Sequence, residues 1–214
     1  MREHWNICAT PDKITLIRLS TPGLFTAMLR HIQERGIPMD TNLKTSIWQQ
    51  FGASIDYLEA NLRACPDDLW TAALWQTPDT KPEFAQFWYV VYHTLFWLDL
   101  YLTGAEEGFA PPAPFTLIEM DPDGVPPERV YTKSELQTYL NECRQRCHAT
   151  IDALTDASVA RRCRFSWGEC SFLELLIYNM RHVHGHASQL NMLLGQEIGP
   201  QPSYVTQVRT QVKN

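Results

Sequence analysis

Four long segments with helical periodicity constrain the fold of this chain more than any other feature. They span about residues 40–62, 82–102, 132 or 134–154, and 171–194. In the first segment, large apolar residues recur every three or four positions and so share one face of a helix: Trp48, Phe51, Ile55, Leu58 and Leu62. Strand patterns are sparse. Because each apolar face must be buried against another element, the sequence predicts an all-α fold, a four-helix bundle.

Capping residues mark the starts of three of these helices. Thr132 is followed three residues later by Glu135, and Ser171 is followed in the same way by Glu174. Each pair can form a capping box, in which the two side chains satisfy free backbone N–H groups of the first turn. The first helix can be capped by either residue of 40–41, an Asp and a Thr.

Proline and glycine mark the other helix ends. Pro82 fits the first turn of the second helix, where its missing N–H costs nothing. Gly104 is a natural stop for that helix, and Gly195 takes the same place after the fourth. The Cys65–Pro66 pair ends the first helix.

The segments outside the helices differ in character. Residues 105–131 form a long proline-rich connection, and a loop of this length is usually functional or packed as a cover. Residues 155–170 have room for a short turn or a hairpin. Residues 1–39 are predicted to be an N-terminal extension, with a short helix over residues 21–35, to a bundle domain over residues 40–214. Residues 1–20 have no clear period; they are either a mobile arm or the product of an upstream start codon.

Charge and composition exclude several partners. The net charge is −6, and the Lys and Arg residues form no cluster, so nucleic acid is not expected as a partner. The apolar stretch 87–102 is too short to cross a membrane, and His93, Thr94 and Asp99 interrupt it. We therefore expect no membrane association. The many aromatic residues favour a homodimer.

The six cysteines predict a reducing environment. None forms a CxxC motif, and no segment resembles a secretory leader, so we expect free thiols in a cytoplasmic protein. Cys143 and Cys147 lie on the apolar stripe of the third helix and fit core thiols better than a metal site. Cys163 and Cys170 could form a redox pair, although their spacing matches no known motif.

A histidine pair in the fourth segment is the strongest functional signal. His182 and His186 are four residues apart, so they lie one turn apart on the same helix face, while His184 points the other way. Two such imidazoles can reach one metal ion, although HxxxH pairs also occur by chance on surface helices. Gly185 between them suggests the close approach of another element or of a ligand.

His93 lies in the middle of the apolar second segment, where a solvent-facing side chain is not expected. Two interpretations stay open. His93 is either a core histidine hydrogen-bonded to a carbonyl group, or a third ligand brought opposite the fourth helix.

The segments His93-Thr-Leu-Phe-Trp-Leu-Asp99 and His182-x-x-x-His186-Ala-Ser-Gln-Leu190 resemble the DinB/YfiT-like superfamily. The resemblance covers roughly residues 40–195; this chain has Ala187-Ser188 where the family usually has Arg-Gly. It implies an up-down four-helix bundle with His93, His182 and His186 as ligands of one divalent metal. Three neutral imidazoles suit Zn, Ni or Fe. It also implies a thiol S-transferase or hydrolase acting on a small molecule, with a low-molecular-weight thiol as one candidate.

No catalytic side chain is evident, so a metal-bound water or thiolate is the expected nucleophile. Asn179 and Gln189 lie near the ligand face by helical phase. They are candidates for second-sphere or substrate contacts, or else ordinary polar residues at a helix seam. The alternatives to an enzyme are a non-catalytic bundle that binds a metal or a small molecule, and a purely structural bundle without metal.

Overall fold

The computed structural model describes residues 39–76, 78 and 81–212. The helix predicted over residues 21–35 and the open question about residues 1–20 lie outside this part of the chain. The described part is mostly helical, which confirms the all-α class. None of its helices has the length and low polarity needed to cross a lipid bilayer.

Four long helices form the framework. They are α1 (Thr41–Ala64), α2 (Phe87–Thr103), α3 (Lys133–Asp152) and α5 (Phe172–Glu197). Helices α1 and α2 each pack against both α3 and α5. All four contribute fully buried side chains to one core, for example Phe51, Leu95, Leu140 and Leu190. Burial of this apolar surface is the main term that holds the helices together.

Shorter elements fill the connections. One-turn 3-10 helices span Asp67–Leu69, Pro82–Ala85 and Leu117–Met120. Between α3 and α5 the chain forms a short helix, α4 (Asp156–Ala160), and a hairpin of β1 (Arg162–Phe165) and β2 (Gly168–Ser171). The hairpin confirms one of the two structures considered for residues 155–170.

The structure confirms the predicted helix caps at the helices for which the sequence named capping side chains. Both capping boxes are present, Thr132 with Glu135 at α3 and Ser171 with Glu174 at α5. Asp40, rather than Thr41, caps α1, because its carboxylate accepts from the N–H groups of the first turn. Gly104 ends α2 in the left-handed conformation, with φ of 78°.

Two predicted helix ends are wrong. Pro82 starts a 3-10 turn rather than α2, because Gln86 adopts an extended conformation and forms a β-bridge with Ala73. Gly195 does not end α5, which continues to Glu197; Gly199 takes the left-handed position with φ of 81°. Because Gly195 has no side chain, the Gln201 side chain can pack against it; an added Cβ would lie only 2.6 Å from Gln201.

Candidate metal centre

The packing of α2 against α5 brings three histidines together. His93 lies on α2, and His182 and His186 lie one turn apart on α5. The Nε2 atoms of His93 and His182 are 3.3 Å apart. One ring nitrogen from each of the three residues lies within 4.8 Å of the other two. This convergence is the geometry that a shared metal ion requires of three imidazole ligands.

The electrostatic surroundings of this cluster favour neutral rings. Burial, followed by the charges of His93 and His186, lowers the pKa of His182 to about 2. Burial and the charge of His93 lower the pKa of His186 to about 4. Both rings therefore keep a free lone pair at neutral pH, which is the form that coordinates a metal.

Glu119 is the main residue of the site that sequence reasoning missed. It lies on the 3-10 helix Leu117–Met120, within the proline-rich connection, and its side chain is only 5% exposed. Its carboxylate contacts Nδ1 of His93 and accepts hydrogen bonds from the Tyr89 hydroxyl at 2.6 Å and from Trp97 Nε1 at 3.2 Å.

This contact determines which nitrogen of His93 faces the cluster. A carboxylate at Nδ1 favours a proton there and leaves the Nε2 lone pair free toward His182 and His186. The long connection was expected to be functional or a cover, but no spacing in the sequence singles out Glu119.

His186 has a comparable partner on its own helix. Its Nδ1 lies 2.7 Å from Oε1 of Gln189, one of the two residues proposed near the ligand face. An amide oxygen there accepts a proton from Nδ1 and leaves Nε2 free. Gln189 is exposed, so it can also reach a molecule bound beside the histidines.

Asn179, the other candidate, is fully buried. Its Nδ2 donates to the carbonyl oxygen of Leu98 at 3.0 Å, which ties α5 to α2. Its Oδ1 and Nδ1 of His182 are both buried and have no hydrogen-bond partner among the described residues. The Asn179 Oδ1 is an acceptor and the His182 Nδ1 can be a donor. The two residues lie about one helical turn apart on α5.

The neighbouring positions on α5 do not join the cluster. His184 faces Tyr57 and Tyr204, with ring centroids at 5.7 and 5.4 Å. Gly185 was expected to mark a close approach, yet apart from its chain neighbours and the backbone of its own helix, no described residue comes within 4 Å of the position that its Cβ would occupy. Its absent side chain therefore leaves open space beside His186 in the described part of the chain.

Aromatic side chains line one flank of the cluster. The rings of Tyr101 and His182 are 6.4 Å apart, and Tyr101 also contacts Trp97 and Tyr178. Trp167, at the hairpin tip, stacks on Tyr178 at 5.1 Å. Trp167 is 47% exposed, so this flank continues to the molecular surface. Such a surface suits an apolar or aromatic molecule.

The residues present fit a divalent metal ion. They supply three imidazoles, and two of these are oriented at Nδ1 by Glu119 and Gln189. Oriented imidazoles with second-sphere acceptors are typical of protein metal sites. The cluster could therefore hold a metal ion.

Comparison with known proteins agrees with this arrangement. A search of curated proteins finds no match to the chain. The family model described as the DinB superfamily matches residues 46–190, which include all three histidines and all four long helices in whole or in part. On this match, the chain belongs to the DinB superfamily.

Proposed function

We propose that this chain is a metal-dependent enzyme that acts on a small molecule at the three-histidine centre, as a thiol S-transferase or a hydrolase. The observation that carries the proposal is the convergence of His93, His182 and His186. Three protein ligands leave a coordination position for a water or a substrate, which distinguishes catalytic from structural zinc sites. Three neutral imidazoles suit Zn²⁺, Ni²⁺ or Fe²⁺.

A bound ion of this kind lowers the pKa of a coordinated water or thiol toward neutrality. The protein's own part is to position the ligand rings and to exclude water from the site. Glu119 and Gln189 hold the rings of His93 and His186, and the burial of His182 keeps that ring neutral. The flank formed by Trp97, Tyr101 and Tyr178 offers an apolar contact for the substrate.

The same reasoning supports an up-down order of the four long helices, since membership in the family and the packing of α1 and α2 on both α3 and α5 are consistent with it. A low-molecular-weight thiol as co-substrate, a homodimer and a cytoplasmic location stay predictions from the sequence.

Metal content is the first test. Protein purified without a nickel column should carry about one metal equivalent per chain. The double variant His182→Ala/His186→Ala should lose it. His184→Ala is the matched control, since it removes a histidine from the same turn that faces Tyr57 instead. Equal metal content in all three proteins would refute the metal centre.

Turnover is the second test. Metal-stripped protein reloaded with Zn²⁺ or Ni²⁺ is assayed for conjugation of a chromogenic electrophile to glutathione, cysteine and other cellular thiols, and for hydrolysis of a panel of esters and amides. Metal-dependent turnover that the double variant lacks and His184→Ala keeps supports the enzyme. Stoichiometric metal with no turnover in any assay would favour the non-catalytic binding bundle.

A further inference from the structure

The β-hairpin brings two cysteines face to face. In the register of β1 and β2, Cys163 is the direct partner of Cys170. Both side chains point to the buried face of the hairpin, with exposures of 1% and 4%. The sequence alone left the pairing of these residues open, because six residues separate them.

The geometry of an antiparallel pair suits a disulfide. Directly opposed residues have Cα atoms about 4.5–5.5 Å apart, with side chains on the same face. Disulfides span Cα distances of about 4.4–6.8 Å. The two thiols can therefore be joined with little movement of the backbone.

One of the two cysteines lines a surface cavity. A surface cavity of about 310 Å³ is lined by Cys170 together with Trp167, Tyr178 and Arg181, among others. Cys163 does not line it. A small disulfide that enters this cavity would thus meet Cys170 first.

We propose that Cys163 and Cys170 form a reversible intramolecular disulfide by exchange with a low-molecular-weight disulfide. The Cys170 thiolate attacks one sulfur of the small disulfide and forms a mixed disulfide, and one small thiolate leaves and takes up the proton that Cys170 lost. The Cys163 thiolate then attacks Sγ of Cys170 and expels the second small thiolate, which takes up the proton from Cys163. Two protein thiols are oxidised, and one small disulfide is reduced to two thiols.

Burial, and then the charge of Cys163, raises the pKa of Cys170. The thiolate is therefore scarce, and we expect the exchange to take hours rather than seconds. The proposed disulfide does not depend on the proposed enzymatic function, since neither cysteine belongs to the histidine cluster.

Two other cysteines of the same chain serve as a comparison for the hairpin pair. Cys143 and Cys147 lie four residues apart on α3 and are fully buried in the core. Neither lines the cavity beside Cys170, and Cys143 Sγ contacts the carbonyl oxygen of Leu95 at 3.7 Å. We expect these two thiols to stay reduced under conditions that oxidise the hairpin pair.

The test incubates the folded full chain with oxidised glutathione, blocks the remaining thiols with an alkylating reagent and maps the peptides by mass spectrometry. A Cys163–Cys170 cross-link is expected, lighter than the reduced peptides by two hydrogen atoms, with Cys143 and Cys147 alkylated only after unfolding. Alkylation of both Cys163 and Cys170 as free thiols on unfolding, or a cross-link to any other cysteine, would overturn the proposal.

Two variants test the order of attack. Cys163→Ser should trap the mixed disulfide, with about tenfold more glutathione on Cys170 than the wild type retains. Cys170→Ser should carry no adduct on Cys163, and Cys143→Ser should behave as wild type. An adduct on Cys163 of the Cys170→Ser protein would contradict the assigned order. Circular dichroism checks folding, and the wild-type map alone decides the proposal if a variant misfolds.

Discussion

At the scale of single residues, the candidate metal centre depends on partners outside the three histidines. An imidazole has two nitrogens, and a group that contacts the nitrogen turned away from a metal orients the ring. Glu119 does this for His93 and Gln189 for His186. Glu119 comes from a different element than the ring it orients, so the connection between α2 and α3 forms part of the site.

Glu119→Gln should weaken metal binding by about tenfold or more, because a neutral amide is a weaker acceptor for the Nδ1 proton than a carboxylate. The measurement is competition with a chelator of known affinity. Glu128→Gln is the matched control, since Glu128 is exposed on the same connection. Unchanged affinity in both variants would show that Glu119 does not orient His93.

At the scale of elements, a glycine within α5 and a glycine just after its end have different structural reasons. Gly185 lies within the helix beside open space, where glycine costs helix stability without a structural need among the described residues. Gly199 follows the helix end with positive φ, where glycine avoids the clash of a Cβ with the backbone.

Gly185→Ala should therefore raise the free energy of unfolding by about 0.5–1 kcal/mol. Gly199→Ala should lower it by about 1 kcal/mol, since alanine is strained at that φ. Urea denaturation of the two variants measures both effects. If Gly185→Ala is destabilising instead, the space beside His186 is filled by the protein itself.

At the scale of the whole molecule, one buried charge cluster joins three parts of the chain. Arg144 of α3 lies 3.0 Å from Asp56 and 2.6 Å from Glu59, both on α1. The other oxygen of Asp56 accepts from the backbone N–H groups of Arg209 and Thr210. Asp56 thus links the helical core to the C-terminal segment that follows α5.

Asp56→Ala should cost about 3 kcal/mol of stability, because it leaves Arg144 buried with one partner fewer and removes the oxygen that accepts from two backbone N–H groups of the C-terminal segment. Limited proteolysis should then cut within residues 201–210 before the core unfolds. Glu142→Ala serves as control; this half-exposed glutamate pairs with Arg146 at 3.7 Å, so its loss should cost under about 1 kcal/mol. Equal losses of stability would contradict the role of the buried cluster.

The sequence by itself determined the local features of this protein. The apolar stripes, the capping boxes at Thr132 and Ser171, and the pairing of His182 with His186 on one face all follow from interactions within a few residues. Two helix ends, predicted at Pro82 and Gly195, lie elsewhere in the structure. The bridge between Gln86 and Ala73 delays the start of α2, and such a contact with a distant residue leaves no mark in local spacing.

Only the tertiary structure decided the rest. Which face of α2 meets α5, and so whether His93 joins the pair, depends on the packing of four helices at once. The placement of Glu119 depends on how a long connection folds back onto α2, and the opposition of Cys163 and Cys170 depends on strand register. These contacts join residues that are far apart in the chain or that strand pairing brings together. Their energies depend on burial, which a local sequence pattern does not encode.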